Sequence, residues 1–194
     1  MKKIALLIVC AVLACNVYAQ ENKGTWGVKA GLNISGFWKG VGLDTKHKLG
    51  YQLGVVYEYR FTKLFALAPE LVFSSEGMKG YFYDEDLDAK VKSTVFANYI
   101  NLPVMAKFYV IKGLSIDFGP QIGVNVFMHK SVDGYGVKMD SDDYNGYHFG
   151  LGLGATYNYK DIFIQARYNL GLTNVFTFTS SKDYNFQIAL GYKF

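Results

Sequence analysis

The chain has 194 residues, of which 17% are aromatic and only 3 are proline, and it carries a formal charge of +4 at pH 7. That size suits one domain, and the near-balance of charge, reduced by two once Lys2 and Lys3 leave with an N-terminal leader, argues against nucleic-acid binding. No apolar run is long enough for a transmembrane helix, so the apolar content has to be segregated by alternation along strands.

Lys2 and Lys3 precede the apolar run at residues 4–15, and Asn16-Val17-Tyr18-Ala19-Gln20, with the small Ala19, follows it. This is the order of regions in a secretory signal peptide, with cleavage expected between Ala19 and Gln20, leaving residues 20–194 as one barrel domain. Val12-Leu13-Ala14-Cys15 also reads as a lipobox, in which Leu13 fits poorly. Both cysteines, Cys10 and Cys15, lie in the leader, so the mature chain has no disulfide or thiolate chemistry.

Eight alternating segments follow, because successive side chains of a strand point to opposite faces. Residues 25–36 set Trp26, Val28, Ala30, Leu32 and Ile34 against Gly27, Lys29, Gly31, Asn33 and Ser35. Residues 49–60 repeat the pattern, with only Val56 breaking the polar side. Residues 64–75 continue it, although Pro69 lacks a ladder donor; bulges or local twists are expected there and at Pro103 and Pro120. Residues 94–109, 114–128, 147–159 and 162–173 complete the middle of the set, and 184–194 end it.

Connections alternate in length: 61–63, 110–113 and 160–161 are tight, whereas 37–48, 76–93, 129–145 and 174–183 are long. An even strand number with short periplasmic turns and long external loops predicts an all-β fold, an eight-stranded antiparallel up-and-down transmembrane β-barrel. Aromatic side chains mark the two interfaces. Trp26, Tyr57, Tyr59, Phe65, Phe108, Tyr157, Tyr159, Tyr192 and Phe194 gather at the turn end, and Tyr51, Phe73, Tyr147, Phe149 and Tyr184 at the other.

The last segment closes on Gln187, Ala189, Tyr192 and Phe194, which resembles the C-terminal insertion signal of Gram-negative outer-membrane barrels, with Ala189 where that pattern prefers glycine. Gly24-Thr25-Trp26 also opens like a lipocalin, a soluble barrel with its apolar face inward. The polar face decides between them: it is rich in Gly50, Gly54, Gly119, Gly123, Gly150, Gly152 and Gly154, which suit a cramped interior better than a solvated shell.

Four motifs in order, at residues 27–33, 68–71, 98–103 and 166–173, resemble the PorT-like outer-membrane β-barrel family. The resemblance spans nearly the whole mature chain. It implies the barrel fold and permits a place in a protein-secretion apparatus.

The inner face should carry Lys29, Glu58, Arg60, Glu70, Lys107, Asp117, Arg167 and Lys193. An eight-stranded interior is just filled by side chains, so these charges should pair in a lumen network built on Lys29, Glu58, Glu70, Lys107, Asp117 and Arg167. Glu70 and Arg167 fall at similar depth on opposite strands and are expected to meet across the lumen. The alternative is a set of local hydrogen bonds to neighbours.

Catalysis is not expected. His47, His129 and His148 are scattered, with neither triad nor zinc spacing, and no cofactor is implied. The acidic runs at 84–88 and 140–143 match no EF-hand loop and read as solvated charge. Strand-forming residues at 81–83 and 91–96 flank the first run, so the second long loop is expected to continue as a hairpin offering an edge to a partner. The expected role is structural or surface-interacting; a secretion component, a narrow channel and a surface lipid enzyme using His148 are the alternatives. Expected partners are outer-membrane lipid and lipopolysaccharide, the barrel-insertion machinery, and a surface or secretion-system protein, with no nucleic acid.

Overall fold

The computed structural model describes residues 24–38, 46–84, 89–132, 135–138, 145–175 and 182–194, with backbone only at 37–38, 46, 81–84, 89–93, 130, 132 and 135–138. The expected leader and its cleavage site at Ala19 and Gln20, residues 85–88 of the first acidic run, and the whole second run lie outside the described residues.

Among the described residues nine strands occur in chain order: β1 (Gly24–Trp38), β2 (Lys46–Arg60), β3 (Phe65–Asp84), β4 (Ala89–Ile111), β5 (Leu114–Val132), β6 (Tyr135–Lys138), β7 (Tyr147–Tyr159), β8 (Ile162–Gly171) and β9 (Lys182–Lys193). Eight of them form a closed ring. β1 pairs with β2 and also with β9, so Val28 lies opposite both Val55 and Tyr192, and β4 pairs with β5 to complete the circle. Every neighbouring pair is antiparallel. Closure removes the unpaired strand edges that hydrocarbon cannot solvate. The ninth strand, β6, pairs only with β5, beyond the ring, inside the segment expected to be a loop.

The alternation places the apolar face outside. Val28, Leu32, Leu53, Ile100, Leu102, Ile116, Ile122, Leu153, Ile164, Ile188 and Leu190 are all exposed, while Asn33, Gln52, Asn101, Gln121, Asn169 and Gln187 are buried in the lumen. A lipocalin would have the two sets exchanged. Val56, the residue that broke the polar pattern, is buried with Ala68, Met105 and Phe163, an apolar patch inside the barrel.

The bulges expected at the prolines are not formed. Pro69 lies opposite Val104, Pro103 opposite Gln121 and Pro120 opposite Leu151, with the register the same on both sides of each. The register shifts instead between His47 and Gln52 of β2, at Asn98/Tyr99 of β4, which leaves Val126 of β5 as the extra residue, and between Tyr109 and Ile111 of β4 beside the tight turn. The physical difference is that a missing N–H removes one ladder bond, whereas a bulge requires an additional residue on one strand. At the first shift, β3 carries Gly77 with φ of 141°, where a Cβ would lie 2.0 Å from the Val95 carbonyl oxygen.

Strand lengths depart from expectation at one end only. β3, β4 and β5 have 20, 23 and 19 residues, about twice the 9–11 that cross a bilayer. β3 and β4 stay paired up to Asp84 opposite Ala89, so the second long connection does continue as a hairpin. From Phe73 to Asp84, at ~3.4 Å per residue and ~45° tilt, the sheet rises roughly 25 Å past the outward apolar band.

Aromatic rings gather at the short-turn end, with Trp26–Tyr57 (4.8 Å between centroids) and the run Tyr59–Phe61 (4.8 Å), Phe61–Phe65 (5.6 Å) and Phe65–Phe108 (5.2 Å). At the other end Tyr51 meets Phe73 at 6.1 Å and Tyr168 meets Tyr184 at 6.3 Å.

A charged lumen beneath an apolar cap

Polar side chains reach the lumen in layers because inward positions on eight strands converge on one axis. In the layer nearest the short turns, Glu58 of β2 is surrounded. Its Oε2 accepts from Lys193 Nζ at 2.8 Å and lies 3.3 Å from Lys107 Nζ, while its Oε1 accepts from Arg60 at 3.0 Å and from the Tyr109 hydroxyl at 2.6 Å. Arg60 also stacks on the Tyr109 ring, 4.1 Å from its centroid. Tyr109 is the member that the sequence reading missed; carrying the β4 alternation one step past Lys107 and Phe108 would have placed it inside.

One layer further in, Arg167 of β8 grips Glu70 of β3 with both ends of its guanidinium, Nη2 to Oε1 at 2.6 Å and Nη1 to Oε2 at 2.9 Å. Lys29 of β1 donates to the same carboxylate at 2.7 Å and to Gln165 Oε1 at 2.9 Å. All three ionic side chains are within 1% of complete burial. Parallel guanidinium–carboxylate contacts of this kind are short and directional, so the pair fixes strands β3 and β8 across the barrel.

The two layers are linked. Gln165 donates to Thr156 at 3.2 Å, Thr156 donates to Asp117, Ser115 donates to Asp117 at 2.6 Å, and Asp117 lies 3.9 Å from Lys107. The structure therefore brings Lys29, Glu58, Glu70, Lys107, Asp117 and Arg167 into one chain of contacts. Above it, the wall turns to amides and small residues: Asn33 donates to Ser74 at 2.7 Å, and Ser74 donates to Glu76 at 2.6 Å.

His148 is not at an exposed rim. It is buried near the top of β7 with Nε2 3.3 Å from Asp183 Oδ1 and its ring 5.4 Å from that of Tyr99. His47 binds the Tyr184 hydroxyl through Nδ1 at 2.9 Å, and His129 stacks on Phe96 at 4.6 Å, so the three histidines serve separate contacts. Among the described residues no group of acidic, histidine or cysteine side chains is arranged to hold a metal ion.

Beyond His148 the interior carries an apolar cluster beside the buried Lys48, whose Nζ donates to Glu76 O at 3.1 Å. Met78, Val95, Ala97, Tyr99 and Met128, on the overshooting parts of β3, β4 and β5, pack with Val175 into a buried cluster. Val95, Ala97, Tyr99 and Met128 belong to the expected strands 94–109 and 114–128, whereas Met78 and Val175 lie in the long connections 76–93 and 174–183, so strand alternation alone did not bring the six together.

At the C-terminus, Gln187 and Ala189 point into the lumen and are buried, while Tyr192 and Phe194 are exposed in the outer belt. The Phe194 amide donates to Trp26 O at 2.9 Å, so the last residue is joined to the first strand.

Neisserial surface protein A superposes with a TM-score of 0.57 at 13% identity, over 87% of this chain and 97% of that one. Ail, the attachment invasion locus protein of Yersinia pestis, gives 0.52 at 18% identity over 89% and 99%, and 0.54 at 17% over the same shares in its complex with the heparin analogue sucrose octasulfate. At these identities the likeness is one of fold. Comparison with curated proteins returns no match. The outer membrane protein beta-barrel domain family matches residues 18–177, and with a closed eight-stranded ring, an outward apolar band and a filled lumen this chain belongs to that family as a Gram-negative outer-membrane protein with its long connections extracellular.

Proposed function

We propose that the barrel is a rigid membrane anchor for a surface-interaction platform formed by the extracellular parts of β3, β4, β5 and β6. The observation that carries this reading is the apolar cap. Strands that rise roughly 25 Å past the membrane need a core of their own to stay ordered in water, and Met78, Val95, Ala97, Tyr99, Met128 and Val175 supply one. The lumen below contributes by being packed with paired charges, a structural plug more than a conduit. Neisserial surface protein A and Ail, by their names, act at the cell surface and in attachment, which favours the same class of role here.

A second reading follows from the motifs at 27–33, 68–71, 98–103 and 166–173: a PorT-like member contacting a secretion apparatus. Under it the platform would meet a protein of the same envelope. Outer-membrane lipid surrounds the band in either case, and the barrel-insertion machinery is the expected partner during assembly.

The test replaces residues 80–93 by Asn-Gly, which closes β3 and β4 with a two-residue turn after the Lys79–Thr94 pair. The shortened barrel should keep its heat-dependent gel shift. Cells displaying the native chain should bind a panel of immobilised extracellular proteins and glycans, and cells displaying the shortened chain should not. Equal binding by the two, no binding by the native chain, or single-channel currents from the native barrel in planar bilayers would each overturn the reading.

A further inference from the structure

A cleft of about 560 Å³ opens on the outer wall at the extracellular end, between the tops of β7 and β8 and the start of β9. Asn145, Tyr147, Leu172, Thr173, Asn174 and Lys182 line it. Its place in the membrane is set by register. Tyr147 lies opposite Val124 and Phe149 opposite Ile122, and Phe149, Leu170 and Leu172 are exposed, so apolar wall runs up to the cleft from below. Polar side chains, Asn145, Asn174 and Lys182, are exposed around it. The change from apolar to polar across this one cleft matches the boundary between acyl chains and headgroups in the outer leaflet.

The frame of the cleft is built in advance. Asn145 Nδ2 donates to Asn174 O at 2.6 Å and its amide donates to Val175 O at 2.9 Å, while Phe149 N donates to Thr173 Oγ1 at 3.1 Å and Leu172 N donates to Phe149 O at 2.7 Å. Val175 is itself held in the apolar cap, so the loop that carries Thr173 and Asn174 is tied to the cap on one side and to β7 on the other. Binding therefore needs little ordering of the site, which favours affinity.

We propose that this cleft is a binding site for the phosphorylated sugar headgroup of lipopolysaccharide. Tyr147, 76% exposed, offers a ring face against which a sugar can pack. Asn145, Thr173 and Asn174 supply donors and acceptors suited to sugar hydroxyls. Lys182 supplies the cation for a phosphate, and Leu172 continues into the band where an acyl chain lies. A glycerophospholipid brings phosphate and chain but no ring for Tyr147 and the amides. The site is independent of the hairpin platform: it lies on β7–β9, away from the segment removed in the test above.

The experiment uses the full mature chain in nanodiscs of phosphatidylethanolamine and phosphatidylglycerol containing a small fraction of lipopolysaccharide, with retained lipid counted by native mass spectrometry. The native barrel is expected to retain one lipopolysaccharide, and Lys182→Glu combined with Tyr147→Ala to weaken retention by about tenfold or more, the loss of one charge-assisted contact and one ring contact. Both altered positions are exposed, and an unchanged heat-dependent gel shift verifies folding of the variant. Lys112→Glu, in a periplasmic turn, should leave retention unchanged. Dephosphorylated glycolipid, which keeps the ring contact and loses the charge-assisted one, should be retained by the native barrel more weakly than lipopolysaccharide but better than lipopolysaccharide is by the double variant. Equal retention by native and variant chains would overturn the site, and phosphatidylglycerol retained as well as lipopolysaccharide would overturn the glycolipid assignment.

Discussion

The Glu70–Arg167–Lys29 cluster makes an unusual ordering of stabilities, because one carboxylate serves two cations. Arg167→Met removes the bidentate grip but leaves Glu70 neutralised by Lys29 at 2.7 Å, so the remaining pair is compensated. Glu70→Gln leaves Lys29 and Arg167 buried with no carboxylate between them. Breaking a buried pair by deleting one partner costs about 3–5 kcal/mol, mostly from the charge left behind. Glu70→Gln, which strands two charges, belongs at or above the upper figure, and Arg167→Met at or below the lower. The double variant retains only Lys29, held by Gln165 at 2.9 Å, and should be less destabilised than Glu70→Gln alone by roughly 1–2 kcal/mol. Reversible denaturant unfolding of the four chains in lipid vesicles, followed by tryptophan fluorescence and by the unboiled gel band, measures the order. A double variant as unstable as the sum of the singles, or a Glu70→Gln chain no weaker than Arg167→Met, would refute the shared-carboxylate argument.

Three other outcomes are expected. A Cβ at Gly191 would come within 2.1 Å of the buried Phe163 ring and 2.6 Å of the Val28 carbonyl oxygen, so Gly191→Ala should destabilise the barrel by about 1–3 kcal/mol in the same unfolding assay, with only the ring's share of the loss recovered by adding Phe163→Leu. Removing Phe194 deletes an outer-belt ring and the hydrogen bond to Trp26 O, and should lower the fraction of chains showing the heat-dependent shift in the outer-membrane fraction; an unchanged fraction would show that the C-terminal pattern is not read during insertion. Intact mass of the purified protein should correspond to a chain starting at Gln20, and a mass increased by lipid on Cys15 would replace signal peptidase cleavage with the lipobox alternative.

Period-two alternation was enough to read the eight ring strands, their faces and both aromatic belts directly from residues such as Trp26, Tyr57, Tyr192 and Phe194, because lipid requires a continuous apolar face from every strand that touches it. The glycines of the polar face even distinguished an inward lumen from a solvated shell. What alternation cannot contain is register between distant strands. Counting depth from the turns was enough to set Glu70 opposite Arg167, but that Glu70 shares its charge with Lys29, and that Asp117 links this layer to Glu58 through Lys107, depends on the stagger of strands around the closed ring. The extracellular cap was hidden for a different reason. Once strands leave the bilayer their outer face no longer has to be apolar, so the alternation that marked the membrane band fades in residues 76–93; the strand-forming residues at 81–83 and 91–96 still pointed to a hairpin, but the packing of Met78, Val95, Ala97, Tyr99 and Met128 against Val175 was decided by the tertiary structure. Proline misled in the opposite direction: the local chemistry of Pro69, Pro103 and Pro120 predicts disruption, but register is set by the pairing of whole strands, which absorbs a single missing donor.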